Sequence, residues 1–578
     1  MESWLSGMWK MLSAILSLML DVAQFWKQKL LSWWTSKSPR ARLQNALSTA
    51  LTYEQWEETA FELDELLSKD LWRQNFVSRH YDYRLIMGRL ESLMSARENE
   101  DILTLVNLLR SGLLRNLGNI TTTKLYTHAY AGTKLLIDDY ITQVALSIQY
   151  VSTLQAEQTT GFTSQAKLEL LHDTRQAFGR TTLLLQGGSA FGLCHLGVVK
   201  ALHLQGLLPR IITGTATGAM IAALVGVHAE SQLLELLDGE MLDLSVFDGR
   251  GKKEGKEGEG WIGTFLRRTR RFLRTGHLFD MELLEECVRT NVGDLTFEEA
   301  YARSKRVLNI TIATAGKTGT PNLLNYLTAP NVLIWSAAVA SNTSVSPSST
   351  TPNITIYCKD ETGAIIPWPH TSDAIFQPWR HIHYNDGESP LSRIAELFNV
   401  NHFIVSQARP YLSPILHSEL NPLDRRQTGW KNVARALSRL VLAELRHRLR
   451  QLDYIGALPG TISRILIDET IPGPNLTLVP DLSLRDLARL FQQPTRARVA
   501  EWMLEGERAV WPAISALKVR EAIEIELDRG YQLVRRRRPS DQALPPVRDS
   551  PKEGLPRRRK EILGEGEEGH FADGERED

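Results

Sequence analysis

The sequence predicts an α/β fold, a sheet with helices on both faces and helical extensions at each end. Three observations carry that prediction. A strand, loop, helix order occurs twice: the apolar run Thr182 to Leu185 enters a glycine-bearing loop and then a helix, Cys194 to Gln205, while Ile211-Ile212 enters a tight turn followed by the apolar helix Ala219 to Val227. Apolar elements resume downstream at Val307 to Ala313 and Asn331 to Ala340, and Ile354 to Tyr357 and Phe403 to Ser406 read as further strands with the helix Leu391 to Phe398 between them. Finally, apolar residues at helical spacing fill Ala41 to Tyr150 and much of the chain after Pro410.

With 578 residues and 43% apolar composition the chain can bury large cores. A balance of 67 basic against 67 acidic residues gives no argument for a nucleic-acid partner. The cysteines Cys194, Cys287 and Cys358 lie far apart, which suits a reducing compartment and argues against a disulfide scaffold or a thiolate metal site. No metal and no cofactor is expected.

Residues 1–40 read as a membrane-associating amphipathic helix or hairpin. Between Trp4 and Trp34 the polar positions Ser6, Lys10, Ser13, Ser17, Asp21, Gln24 and Gln28 form a narrow stripe on an apolar helix. Lys10 and Asp21 interrupt the apolar run, which disfavours a single span. Trp4, Trp9, Trp26, Trp33 and Trp34, with Lys27, Lys29 and Lys37, suit a helix lying in a lipid surface. The segment lacks the basic leader and Ala-x-Ala-like exit of a secretory signal, so secretion is not expected. A helix packed on the next domain is the alternative.

Residues 41–170 read as a helical extension, with helices at Tyr53 to Leu67, Leu71 to Arg79, Tyr81 to Glu98 and Glu100 to Arg110. Residues 171–430 hold the α/β domain, interrupted by the polar insertion Asp248 to Gly260, an arginine-rich aromatic stretch from Trp261 to Arg274 and the Ser/Thr/Pro loop Ser341 to Pro352. Residues 431–538 read as a helical C-terminal region in which Ile471 to Pro480 is a loop, and 539–578 have the composition of a disordered tail.

The chemistry is concentrated at Gly214-Thr215-Ala216-Thr217-Gly218. Small residues at Gly214 and Gly218 let a strand turn sharply into a helix, as in the nucleophile elbow of a serine hydrolase. The middle residue, Ala216, has neither hydroxyl nor thiol. With the preceding loop Gly187-Gly188-Ser189-Ala190-Phe191-Gly192, the region resembles the patatin-like lipid acyl hydrolases, and within them the fungal and plant triacylglycerol lipases. Leu71-Trp72, Tyr81-Asp82-Tyr83, Arg115-Asn116-Leu117-Gly118, Gly132-Thr133-Lys134, Ser389 to Gln407 and Leu452 to Gly456 are similar to stretches of the same lipases, in the same order.

The resemblance implies a patatin-like sheet, hydrolysis of carboxylic esters of acylglycerols or phospholipids by a Ser-Asp dyad, and oxyanion donors from the loop of Gly187, Gly188 and Gly192. The family's serine falls on Ala216, and Gln186 stands where a further glycine is usual. Asp386, in Asp386-Gly387, is the candidate aspartate, although aligning by Pro390 puts Ile382 and His383 on that turn. Thr215 and Thr217 flank Ala216 but point elsewhere on a tight turn. Cys194 reads as buried, and His195, His228, His402 and His417 each have a structural reading.

Three functions follow as alternatives: a lipid acyl hydrolase, a catalytically inactive lipid-binding or regulatory relative forming a homo- or hetero-oligomer with a related lipase, and a lysophospholipid acyltransferase using the H-x4-D pair His381 and Asp386. The expected setting is the cytoplasmic side of a membrane, a lipid droplet or the endoplasmic reticulum.

Overall fold

Ten strands occur among the described residues: β1 (Arg180–Gln186), β2 (Ile211–Thr215), β3 (Val307–Thr311), β4 (Thr314–Ala315), β5 (Leu323–Leu324), β6 (Tyr357–Lys359), β7 (Ile365–Pro367), β8 (Ile375–Phe376), β9 (Val400–Gln407) and β10 (Asn475–Leu478). The computed structural model describes residues 38–154, 162–187, 192–239, 281–312, 322–342, 355–371, 389–408, 471–480 and 496–535, with shorter pieces that include 17–27 and parts of 437–455. Six strands form one sheet in the order β10-β9-β1-β2-β3-β5. All its pairings are parallel except β3 with β5.

β1 is buried on both faces because it lies inside a parallel sheet covered by helices. Leu183 and Leu185 join Ile212, Ile310 and Ile404 beneath the helices Cys194–Leu204, Thr217–Val227 and Ile334–Ser341. Leu184, Ile211, Phe403 and Val405 face the other way, onto Leu391, Ile394 and Phe398 of the Pro390–Phe398 helix. The register sets Gln186 beside Thr215 and Gln407, so the Gly-rich loop and the elbow leave neighbouring strands at the same end of the sheet. That carboxyl end is where open α/β sheets place their sites.

Several boundaries depart from the sequence reading. The stretch read as a loop, Ile471 to Pro480, supplies the edge strand β10, paired with β9 from Asn475 to Leu478. Four residues bounded by prolines are enough for a strand when the partner edge is already in place. Tyr357 belongs to the separate β6–β7 hairpin and not to the main sheet. The helix expected over Leu71 to Arg79 spans only Asp70–Gln74. Its neighbours begin later than expected because Asp82 and Asp101 are N-caps, accepting from the Leu85 and Thr104 amides. Within the C-terminal region expected to be helical, residues 462–467 and 483–492 lie outside the described residues, as do the segments 248–274 and 539–578.

The similar motifs of the extension have structural roles. Lys134 is buried and donates to the Trp72 and Asn75 carbonyls at 2.6 Å each, with its ammonium 4.1 Å from the Trp72 ring centre. Arg73 returns a bond to the Thr133 carbonyl, and Gly132 leaves room for that guanidinium, since a Cβ there would lie 2.9 Å from Nη2. Asp64 accepts from the Tyr130 and Ala131 amides. Residues 64–75 and 130–134 are thereby laced together through the buried Asp64 and Lys134 charges, each hydrogen-bonded to backbone of the other segment.

The Arg496–Val510 helix crosses the Cys194–Leu204 helix almost backbone to backbone. A Cβ at Gly197 would lie 1.8 Å from the Met503 carbonyl, and one at Gly506 2.0 Å from the Cys194 carbonyl. Gly506→Ala is therefore expected to destabilise by about 1–3 kcal/mol, as overpacking does. Alanine's better helix propensity, worth about 1 kcal/mol, acts in the opposite direction. A urea midpoint at or above that of the parent would refute the close crossing.

Candidate functional site

Ala216 sits between β2 and the Thr217–Val227 helix with φ 53° and ψ −124°. An L-residue in this region costs of the order of 1–3 kcal/mol and persists only where its surroundings impose it. Here they do. A Cβ on Gly214 would lie 2.4 Å from the Ala219 Cα, and one on Gly218 2.1 Å from the Leu185 carbonyl, so both elbow glycines are required by contact. The Ala216 amide donates to Ser341 Oγ at 3.0 Å, and Thr217 Oγ1 donates to Asn342 Oδ1 at 3.4 Å.

Ser341 ends the helix Ile334–Ser341 and abuts the elbow. The composition of Ser341 to Pro352 predicts a loop from this residue on, whereas Ser341 closes the helix. The serine closing Ile334 to Ala340, an apolar and mostly small run, was the available signal, but only the fold reveals its partner.

The Gly-rich loop meets the elbow directly. A Cβ at Gly192 would come within 2.6 Å of Thr217 Cγ2, so the loop lies against the first turn of the elbow helix. That helix is almost wholly buried, and no side-chain cap serves its N-terminus, since its N-cap is Ala216. Its orphan amides and dipole favour negative charge at the elbow. At the loop's entry, Gly187 adopts φ 63° and its carbonyl faces His195 Nε2 at 3.2 Å, while Nδ1 lies 2.7 Å from Ser406 Oγ. His195 is fully buried, and burial lowers its pKa to about 4, leaving it neutral near pH 7.

Gly187, Gly192, Gly214, Ala216 and Gly218 are thus brought together at one sheet end. Gly188, His381, Ile382, His383, Asp386 and His417 lie outside the described residues. Cys194 is buried and its backbone packs on Gly506. His402 is buried beside Thr181 and Arg520, its pKa held well below the usual imidazole range by burial and then by Arg115 and Arg520. His228 Nδ1 contacts the Leu224 carbonyl at 2.7 Å. Among the described residues no group of three His, Cys, Asp or Glu side chains could hold a metal ion.

A parallel sheet carrying a Gly-rich loop and a sharp strand-to-helix elbow on adjacent strand ends defines a patatin-type acyl hydrolase scaffold. The chain matches the patatin-like phospholipase family over residues 183–347, and a domain of unknown function, DUF3336, over residues 33–176. It is 34% identical to triacylglycerol lipase ptl1 of Schizosaccharomyces pombe over 82% of each chain. It is 32% identical to triacylglycerol lipase 4 of Saccharomyces cerevisiae over 84% of this chain and 52% of that one. Against triacylglycerol lipase SDP1L of Arabidopsis thaliana the identity is 30%, over 86% of this chain and 60% of the other, so the chain spans only half to three fifths of these last two relatives. The chain belongs to the patatin-like triacylglycerol lipase family.

Proposed function

We propose that this chain is a catalytically silent member of its family, which binds acylglycerol or phospholipid at the retained site and acts by regulating a related lipase with which it pairs. The single observation that carries the reading is Ala216: a methyl group stands in the strained elbow conformation that exists to present a nucleophile. Family hydrolysis requires an oxygen or sulfur atom there. Gly214 and Gly218 shape the elbow by close contact and Gly192 packs on Thr217, which supports reading the methyl group at position 216 as the missing reacting atom.

Purified protein should bind radiolabelled triolein or lysophospholipid without releasing fatty acid above a buffer control. Ester hydrolysis that follows the chain through successive purification steps would sink the reading.

The proposal includes a location on the cytoplasmic face of a lipid droplet or of the endoplasmic reticulum, through residues 4–34. Within that stretch residues 17–27 are helical, and Leu18, Met19, Leu20, Val22, Phe25 and Trp26 are all exposed, an arrangement suited to insertion between headgroups. No helix among the described residues is long and apolar enough to cross a membrane. Removing residues 1–38 should therefore move most of the protein out of the floated lipid fraction on a density gradient. Unchanged flotation would rule out this anchor.

A further inference from the structure

We infer that residues 75–80 of the N-terminal extension are a second lipid-contacting surface, a rigid loop that inserts Phe76 and Val77 into an anionic lipid surface while Arg79, His80 and Arg84 meet the headgroups. The inference rests on the lipid location proposed above, but not on residues 4–34 as the anchor.

Phenylalanine and valine are ordinarily buried. In this loop Phe76 is 41% and Val77 52% exposed, and Leu71, on the short Asp70–Gln74 helix that leads into it, is 68% exposed. Slack backbone is not the reason. The buried Lys134 ammonium holds the Trp72 and Asn75 carbonyls, the Tyr81 hydroxyl donates to the Phe76 carbonyl, and Asn75 Oδ1 accepts from the Val77 amide at 2.9 Å. The Phe76 ring also rests against Tyr83, with ring centres 5.7 Å apart. Trp72, Tyr81, Tyr83 and Lys134 come from three of the lipase-like stretches, and together they brace the backbone on both sides of an apolar pair that the fold leaves exposed.

Basic side chains border that pair. Arg79 and His80 complete the loop and are exposed, as is Arg84. Arg84 Nε donates to the Tyr83 hydroxyl at 3.3 Å, and the guanidinium lies 5.8 Å from the Tyr83 ring centre, so Phe76, Tyr83 and Arg84 form one continuous strip. Asp82, the one acidic residue in 76–90, is engaged as the N-cap of the Tyr83–Glu98 helix. A partner in a stable protein complex covers about 800 Å² on each side, far more than two or three side chains offer. An apolar tip with an arginine rim instead matches the boundary between headgroups and acyl chains of an anionic leaflet. Because the loop is already ordered, insertion costs little conformational entropy.

The test places the environment-sensitive fluorophore NBD on the full chain through Val77→Cys, in a Cys287→Ser background, since Cys194 and Cys358 are buried. A control label goes on Glu98→Cys, at the other end of the Tyr83–Glu98 helix, about 20 Å away. On addition of vesicles of phosphatidylcholine with phosphatidylserine, the label at 77 should brighten and shift to the blue, and the label at 98 should not. In vesicle flotation of the unlabelled full chain, the double variant Phe76→Ser, Val77→Ser should partition about ten-fold more weakly. Arg79→Gln with Arg84→Gln should weaken partition on the phosphatidylserine vesicles, with the loss vanishing on phosphatidylcholine alone or at high salt.

An unshifted label at 77 on vesicles that carry the chain would overturn the inference and leave residues 4–34 as the anchor. Equal shifts at 77 and 98, or parent-like partition of the double serine variant, would overturn it as well. If that variant has a lowered urea midpoint, Val77→Ser alone decides, with weaker partition supporting the loop and unchanged partition refuting it. A label at 77 that responds to a membrane-free cell extract but not to vesicles would mean that a protein covers the loop, and would refute the lipid contact. Parent protein that binds no vesicles would sink the inference together with the lipid location on which it rests.

Discussion

Ala216→Ser is expected to convert a chain that ignores fluorophosphonate into one labelled at the elbow, and to raise triolein hydrolysis by about 10³-fold or more, the scale on which hydrolases depend on their nucleophile. The backbone argument favours the gain. Serine pays the same steric cost as alanine at φ 53°, so the substitution adds an oxygen without a new conformational penalty. The Ala216 amide is already held by Ser341, which leaves the side-chain direction of residue 216 set by the same contacts. The new hydroxyl would sit at the uncapped N-terminus of the Thr217–Val227 helix, whose dipole favours a developing anion. Two partial outcomes are informative. Labelling without turnover would mean that the elbow is competent but no aspartate serves it, a result to be followed by Asp386→Asn in the same background. Absence of both would mean that the cradle has drifted as well as the nucleophile, and would leave binding as the retained role. Parent protein that is already labelled or active would overturn the proposed silence.

What the sequence revealed and what it withheld divide along a physical line. The Gly214 and Gly218 pair was legible because a sharp strand-to-helix turn forbids side chains at those positions, and the contacts at 2.4 and 2.1 Å give the reason atom by atom. That residue 216 carries a methyl group, with neither hydroxyl nor thiol, needed no structure at all. The strand β10 was missed because four residues between prolines carry no period of their own and depend on β9 for their order. Ser341 and Ser406 were missed as functional neighbours because their partners lie 125 and 211 residues away, and local spacing holds no information about such pairs. His195 was read as structural; it is buried, and its two opposed partners appear only when β9 closes beside β1. The same distance hid the purpose of Arg115-Asn116-Leu117-Gly118: Arg115 donates to the Arg520 carbonyl 405 residues downstream.

That contact leads to the largest expected loss of stability. Glu524→Ala should destabilise the protein by about 3–5 kcal/mol, the usual consequence of stranding one partner of a buried ion pair. Glu524 lies on the Ile514–Arg535 helix and accepts from Arg115 Nη2 at 3.0 Å, from the Thr181 amide at 2.8 Å and from Thr181 Oγ1 at 2.6 Å. The pair is shielded, with side-chain exposures of 10% for Arg115 and 14% for Glu524. One carboxylate therefore joins three segments: the N-terminal extension through Arg115, the first residues of β1 through Thr181, and the C-terminal helix to which it belongs. Removing it would leave the Arg115 charge and the Thr181 amide without this acceptor. The fully buried Glu521 cannot be assumed to substitute, because burial, and then the charge of Glu524, push its carboxyl well above the usual carboxylate range. Glu524→Gln retains an accepting oxygen and should lose less, about 1–3 kcal/mol. Arg115→Met should cost nearly as much as Glu524→Ala, and the double variant should lose well under the sum, since the two residues act through one contact. Urea midpoints for the four proteins, read by tryptophan fluorescence and by limited proteolysis, test the set. Additive losses, or a Glu524→Ala cost below about 1 kcal/mol, would mean that water replaces the carboxylate and that the three segments are held together by apolar packing alone.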